Sequence, residues 1–143
     1  MTDPESAGPL AASTQDPSRV PPIDDWYRLL DGRVAVVTGG GAGIGGAISR
    51  LFGAHGALVE VVDSDPDVAT LVVEDIEAAG GVARAHVVDV RSDAEVEDLR
   101  GEVLGEHGRI DVLVNNVGDH RPLVRFHDSS PESWSAMYAA NLE

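Results

Sequence analysis

The sequence predicts an α/β protein built on a doubly wound parallel sheet that stops after about four strands. Strand-like and helix-like segments alternate four times at intervals of roughly 25 residues, which is typical of repeated βαβ units. The strand-like segments are continuous apolar runs, as expected for strands that are buried on both faces. Right-handed crossovers between such strands place helices on both sides of the sheet.

Two strand–helix units occupy the first half of the folded region. The first strand, predicted at residues 34–37, ends in a glycine cluster, and the second, at residues 58–62, ends at Asp63. Helical spacing predicts that the first helix turns five apolar residues inward, namely Ile44, Ala47, Ile48, Leu51 and Phe52. The second helix is predicted to begin near Pro66, with an inward face of Val68, Leu71, Val72 and Ile76.

Two further units follow. The third strand is predicted at residues 82–88 and is followed by Asp89. The next helix opens with the capping-box pattern Ser92-x-x-Glu95 and is predicted to bury Val96, Leu99 and Val103. The fourth strand, at residues 110–114, leads into Asn115-Asn-Val-Gly118, and a last helix is predicted to begin near Ser130.

Composition narrows the classes of function. The net charge is −15, every one of the ten basic residues is a scattered arginine, and neither lysine nor cysteine is present, so nucleic-acid binding is not expected. The acidic start and the lack of a long apolar run predict a soluble cytoplasmic protein with no membrane contact. The five histidines lack metal-ligand spacing and are expected at the surface or as helix caps, so no metal site is predicted. Residues 1–30, rich in proline, are predicted to form a flexible tail, and residues 31–143 the folded part.

A glycine cluster, Thr38-Gly-Gly-Gly-Ala-Gly-Ile-Gly-Gly46, separates the first strand from the first helix. Backbone N–H groups and the positive end of a helix converge at such a turn, and the missing side chains let a pyrophosphate approach them. The match to Gly-x-Gly-x-x-Gly at Gly41, Gly43 and Gly46 arises easily in any glycine cluster, so the context decides. Asp63 ends the second strand 24 positions after Gly39, close to the spacing of about 20 expected for a ribose-binding acid.

Asp63 also bears on which dinucleotide binds. A carboxylate accepts hydrogen bonds from the adenosine ribose, but it repels a 2′-phosphate at close range. No basic residue stands in the glycine cluster or directly after Asp63. The sequence therefore predicts that NAD is preferred over NADP.

These motifs resemble those of the short-chain dehydrogenase/reductase family, in its classical branch, over residues 33–143. Thr38, Gly39, Gly43, Ile44 and Gly45 match Thr-Gly-x-x-x-Gly-x-Gly, and Asn115-Asn116-Val117-Gly118 is similar to Asn-Asn-Ala-Gly. The resemblance implies a Rossmann fold and a cofactor site made of Thr38, Gly39, Gly43, Ile44, Gly45, Asp63, Asp89, Val90, Asn116, Val117 and Gly118. It also places Asn141 at the position of an asparagine that belongs to the family's proton relay.

The resemblance implies hydride transfer between a nicotinamide and an alcohol or carbonyl substrate, with a serine and a Tyr-x-x-x-Lys at the reacting centre. Tyr138 is followed four residues later by Leu142, and the chain contains no lysine. We therefore expect the cofactor-binding part of such an enzyme, inactive alone and able to handle a substrate only if completed. A non-catalytic nucleotide-binding or interaction module, and an enzyme assembled from two chains, stay open as alternatives. An uncovered fourth strand favours a homo-oligomer or a complementing chain.

Overall fold

The computed structural model describes residues 28–118 and 125–142. Most of the predicted tail, residues 1–27, lies outside the described residues. The strands are β1 (Val34–Thr38), β2 (Leu58–Asp63), β3 (Val82–Val87) and β4 (Val112–Val114). The helices are α1 (Gly43–Ala54), α2 (Pro66–Ala78), α3 (Asp93–His107) and α4 (Pro131–Leu142), with a 3₁₀ turn at Phe126–Asp128.

The described strands form one parallel sheet in the order β3-β2-β1-β4. Ala35 and Val36 of β1 stand beside Val59 and Glu60 of β2, and Val37 stands beside Val114 of β4. Because every strand runs in the same direction, all four carboxyl ends meet at one edge of the sheet. The predicted α/β fold class is confirmed.

The core lies on both faces of the sheet. On one face, Ala35, Val37 and Val61 pack against α2 through Val72 and Ile76. On the other face, Val34, Val36 and Val62 pack against Leu99 and Val103 of α3. The continuous apolar runs therefore do mark strands that are covered on both sides, as a doubly wound sheet requires.

The inward face of α1 differs from the prediction. Ile48 and Phe52 pack against the core, but Ile44, Ala47 and Leu51 are exposed. The buried positions of α1 are Gly45, Gly46, Ser49 and Gly53. A Cβ atom added at Gly53 would lie 2.6 Å from Cγ2 of Ile76 in α2, so the two helices meet too closely for a large side chain. The prediction was based on the spacing of large apolar residues. Where two helices approach most closely, however, the positions between them are occupied by the smallest residues.

Two other predicted inward residues, Leu71 and Val96, are exposed as well. In α2 the position beside Val72 is taken by Ala69, which is fully buried. The small side chain lets α2 lie close to the sheet.

The fourth strand, Val112–Val114, is shorter than the predicted range of 110–114, and Asp111 directly before it bonds to the start of β1. The Asp111 N–H donates to the carbonyl of Val34 at 2.9 Å, and its Oδ2 accepts from the Val34 N–H at 2.8 Å. This second bond, with help from Arg33, lowers the pKa of Asp111. β4 is an edge of the described sheet, and Leu113 on it is 58% exposed. Among the described residues, no helix is long and apolar enough to cross a membrane.

Candidate functional site

A cleft of about 530 Å³ lies at the edge where the four strands end. Each strand contributes to its wall, because the lining residues lie at or directly after the strand ends. They are Gly39 and Ala42 after β1, Val62, Asp63 and Ser64 around the end of β2, Val88, Asp89, Val90 and Arg91 after β3, and Asn116, Val117 and Gly118 after β4. The strand order reverses between β1 and β4, and ligands of open α/β sheets bind in the crevice at such a point.

The structure brings most of the predicted cofactor residues to this cleft. Seven of the eleven line it, namely Gly39, Asp63, Asp89, Val90, Asn116, Val117 and Gly118. Gly43 and Ile44 lie in the first turn of α1 just beyond the lining, and the side chain of Ile44 is exposed. Thr38 and Gly45 are buried behind the wall.

Close packing explains the glycines of the loop between β1 and α1. A Cβ atom at Gly45 would overlap the carbonyl oxygen of Gly39, and one at Gly41 would lie 2.6 Å from Cγ2 of Val68. Gly39 and Gly43 have φ angles of +60° and +53°, which favour glycine. Ala42, the N-cap of α1, makes no side-chain cap. The loop is thus a side-chain-free cradle that leads to a helix N-terminus, the kind of site that suits a phosphate group.

Thr38 and Asn116 join this loop to the end of β4. Thr38 Oγ1 donates to the carbonyl of Val114 at 3.1 Å and accepts from the Asn116 N–H at 3.0 Å. Asn116 Nδ2 donates to the carbonyls of Thr38 at 3.1 Å and of Gly39 at 3.3 Å. These bonds hold both sides of the cleft at the point where β1 and β4 separate, so Thr38 supports the wall from behind.

Backbone N–H groups, one of them from the glycine loop, hold the carboxylate of Asp63 in place. Its Oδ2 accepts from the Gly41 N–H at 3.1 Å, and its Oδ1 accepts from the Asp65 N–H at 3.2 Å. Each oxygen keeps further acceptor capacity, because an ionised carboxylate offers about four lone-pair sites. Asp63 can therefore accept hydrogen bonds from hydroxyl groups in the cleft while the backbone holds it in place.

A second carboxylate, Asp89, is clamped by Arg91. The guanidinium donates through Nε to Oδ1 at 2.9 Å and through Nη2 to Oδ2 at 2.7 Å, and the Arg91 N–H donates to Oδ1 at 3.0 Å. These bonds lower the pKa of Asp89 to about 2. Arg91 is not among the predicted cofactor residues, because only cations in the glycine loop and directly after Asp63 were considered. The available signal was an arginine two residues after a strand-end aspartate.

Asn141 lies beside the β4 end of the cleft. A Cβ atom at Gly118 would lie 2.8 Å from Asn141 Oδ1, and Asn141 Nδ2 donates to the carbonyl of Met137 at 2.7 Å. Gly118 is thus the residue that lets α4 bring this amide to the loop after β4. The structure thus places the Asn141 amide beside Gly118, a residue that lines the cleft.

Two histidines depart from the expected surface positions and meet a buried carboxylate outside the cleft. Nε2 of His86 lies 2.5 Å from Glu60 Oε2, and Nε2 of His107 lies 2.6 Å from Glu60 Oε1. Glu60 is 3% exposed and His86 is 7% exposed. Burial raises the pKa of Glu60, but the bonds from the two imidazoles outweigh it and leave the pKa below its usual value. Among the described residues, no group of three or more His, Asp or Glu side chains is arranged to hold a metal ion.

Fold and cleft together define the class. This is an open-sheet α/β protein whose cleft lies where such folds bind their ligands. The chain belongs to the short chain dehydrogenase family, whose family model matches residues 33–143.

Curated relatives are similar over most of this chain but are much longer. It is 36% identical over 112 residues to 2,3-dihydro-2,3-dihydroxybenzoate dehydrogenase of Bacillus subtilis, covering 78% of this chain and 42% of that protein. It is 42% identical over 93 residues to 7alpha-hydroxysteroid dehydrogenase of Escherichia coli, covering 65% of this chain and 36% of that protein. The chain therefore spans less than half the length of these relatives.

Two solved structures show the same fold. A metagenomic short-chain oxidoreductase in complex with NADP has a TM-score of 0.72 at 42% identity, with 79% of this chain and 51% of that chain covered. A 7 alpha-hydroxysteroid dehydrogenase complexed with NADH and 7-oxo glycochenodeoxycholic acid has a TM-score of 0.73 at 36% identity, with 84% and 46% covered.

Proposed function

We propose that residues 31–143 form the cofactor-binding part of a short-chain dehydrogenase and bind NAD in the cleft at the strand ends. The observation that carries this proposal is the convergence of the four strand ends, with a side-chain-free loop and a backbone-held carboxylate facing one space. The relatives complexed with NADP and with NADH support a nicotinamide dinucleotide as the ligand.

Residues of this chain fit such a cofactor along the length of the cleft. The N–H groups of the loop from Gly39 to Gly43 and the N-terminus of α1 suit the pyrophosphate. Asp63 suits the adenosine ribose hydroxyls, and Asp89 with Val90 suits the adenine side. Asn116 to Gly118, with Ile44 beyond them, suit the nicotinamide side. When bound, the nicotinamide accepts or supplies a hydride.

Charge in the cleft favours NAD over NADP. Asp63 carries a negative charge at the proposed ribose position, and the cation Arg91 is bound by Asp89. A 2′-phosphate would therefore approach a carboxylate without meeting a guanidinium that is directed at it. Repulsion between like charges a few ångströms apart costs about 1–4 kcal/mol near a protein surface.

We expect the 143-residue chain to bind NAD at least about tenfold more tightly than NADP, since tenfold corresponds to 1.4 kcal/mol. Asp63→Asn should weaken the binding of NAD and strengthen the binding of NADP, so the difference between the two affinities should narrow. Asp65→Asn is the matched control, because it removes a neighbouring charge while asparagine still caps α2. The measurement is calorimetric titration with both dinucleotides. Equal affinities of the unchanged chain for NAD and NADP would contradict the preference.

We expect no hydride transfer by the chain alone. Its 143 residues contain no lysine that could lower the pKa of a catalytic tyrosine, and Leu142 stands where Tyr138 would need one. The proposed whole enzyme would act on an alcohol or carbonyl compound. The measurement is the nicotinamide absorbance of the chain mixed with NAD and a panel of alcohols, with a complete short-chain dehydrogenase as the control. Turnover by the chain alone would contradict this prediction.

A second candidate function is a non-catalytic module that binds a nucleotide and pairs with another chain or a second copy of itself. The observation that favours it is the exposed apolar side chain of Leu113 on the edge strand β4, since unpaired strand edges promote association. The turnover assay separates these two functions when it is repeated with a purified partner chain added. Hydride transfer by the mixture would support the cofactor-binding part of an enzyme over the non-catalytic module.

A further inference from the structure

One loop, residues 88–92 between β3 and α3, supplies four of the twelve residues that line the cleft. Its conformation depends on Asp89. The Ser92 N–H donates to the Asp89 carbonyl at 2.9 Å, and the Asp89 side chain holds Arg91. The Val88 N–H donates to the carbonyl of Asp63 at 3.1 Å, so this loop leaves the sheet directly beside the proposed ribose carboxylate.

Glu95 makes a contact that its sequence motif does not predict. In a capping box, the glutamate at the third helical position accepts from the backbone N–H of the N-cap residue. Here Ser92 Oγ accepts from the Glu95 N–H at 3.4 Å, which is the first half of the box. The second half is missing, because the Ser92 N–H donates to the carbonyl of Asp89. Glu95 Oε2 instead accepts from the N–H of Asp89 at 2.8 Å. The first turn of α3 is thus fastened to the cleft wall.

Glu95 is not among the residues that line the cleft, so it would act on a ligand there without contacting it. A bond from a backbone N–H to a carboxylate is short and strong. It leaves Asp89 held at its N–H, at its carbonyl and at its side chain. Without Glu95, the N–H of Asp89 would lose its protein acceptor, and the adjoining lining residues would lose one of the bonds that hold their main chain in place.

We propose that Glu95 is a positioning residue for the adenosine end of the dinucleotide, acting by holding the main chain of Asp89. This inference rests on the proposed function, since it assumes that the adenosine lies between Asp63 and the loop after β3. It predicts that the binding cost of losing Glu95 is shared by every ligand that contains the adenosine moiety.

The test compares four variants of the 143-residue chain by calorimetric titration with NAD and with AMP. Glu95→Ala should weaken both ligands about tenfold, the size of one lost hydrogen bond to a charged group. Glu95→Asp keeps the charge at the helix N-terminus, but its side chain is one methylene too short to reach Asp89, so it should weaken the binding of NAD and AMP to a similar extent. This variant should melt near the temperature of the unchanged chain. Glu95→Gln keeps an acceptor oxygen at the same distance and should restore most of the affinity.

Ser92→Ala is the matched control. It removes the side-chain cap of the same helix turn but leaves the bond between Glu95 and Asp89, so it should lower the melting temperature without changing either affinity. Equal weakening by Ser92→Ala and Glu95→Asp would reduce Glu95 to a helix cap and overturn the proposal. Unchanged AMP affinity in Glu95→Asp would overturn it too. An unchanged chain that binds neither NAD nor AMP would instead overturn the proposed function, and this inference with it.

Discussion

Replacing Glu60 with alanine is expected to lower the free energy of unfolding by about 3–6 kcal/mol at neutral pH, because it removes two hydrogen bonds to a charged group that contribute about 1.5–3 kcal/mol each. An ionised carboxylate only accepts hydrogen bonds, so each Nε2–H of His86 and His107 must donate to it. Without Glu60, both imidazoles lose this acceptor where water reaches them poorly. The contact also holds the end of α3 to the sheet, because His107 is the last residue of that helix.

The measurement is urea unfolding, with Glu106→Ala as the matched control. Glu106 is a carboxylate of α3 that likewise links this helix to the sheet, through Arg84 of β3, but this pair is exposed and should contribute about 1 kcal/mol or less. A loss of less than 1 kcal/mol in Glu60→Ala would show that the buried cluster contributes little to stability.

The contribution of Glu60 to the free energy of unfolding should be lost in acid. Its pKa in the folded chain lies below the usual value of 4.5 because the two imidazole bonds outweigh the effect of burial. A group whose pKa is lowered by folding stabilises the fold at pH values above its unfolded pKa, and this contribution is lost as the pH falls through the folded pKa. The difference between the unchanged chain and Glu60→Ala should therefore be full at pH 5 and above, and should shrink only below about pH 4.5.

The second large effect is expected for Gly45→Ala, which should strongly weaken dinucleotide binding and destabilise the chain. The added methyl group would overlap the carbonyl oxygen of Gly39 and lie 2.6 Å from Nδ2 of Asn116. Backbone atoms cannot move aside as side chains do, so the loop must open. We expect a loss of about 3 kcal/mol in stability, at the upper end of overpacking costs. NAD affinity should fall about hundredfold or more, as two hydrogen bonds to phosphate would cost.

Two other glycines provide controls for this substitution. Gly101 lies in α3 with open space around its Cβ position, so Gly101→Ala should raise stability by about 0.8–1 kcal/mol and leave NAD affinity unchanged. Gly43 also faces open space but has a φ of +53°, so the loss of stability in Gly43→Ala, measured by unfolding without dinucleotide, reports the backbone strain alone, about 1–2 kcal/mol. NAD titration and urea unfolding of the three variants measure both effects. NAD affinity retained in Gly45→Ala would contradict the close-packing explanation.

Sequence patterns were sufficient for the architecture because they record burial along the chain. Runs such as residues 34–37 are apolar at every position, which only a strand covered on both faces requires. The side-chain-free loop and Asp63 could be predicted to share a cleft, because the ends of parallel strands meet at one edge. Whether they bind the dinucleotide stays a prediction for the titrations to test.

Local patterns failed where a partner distant in the sequence decides the outcome. Leu51 was predicted inward from its spacing, but it is exposed, and Gly53 is the residue of α1 that meets Ile76 of α2. Glu60 reads as a charge in the middle of an apolar strand, and its spacing to His86 and His107 carries no signal.

The sequence by itself determined the alternation of strands and helices, the glycine loop and the strand-end carboxylates, because each depends on residues a few positions apart or on the common direction of parallel strands. Only the tertiary structure decided that Glu60 of β2 meets His86 and His107, and that Ile76 of α2 packs against Gly53 of α1. The physical reason is that sheet order and the depth at which helices pack set these contacts, and neither is encoded in a local period.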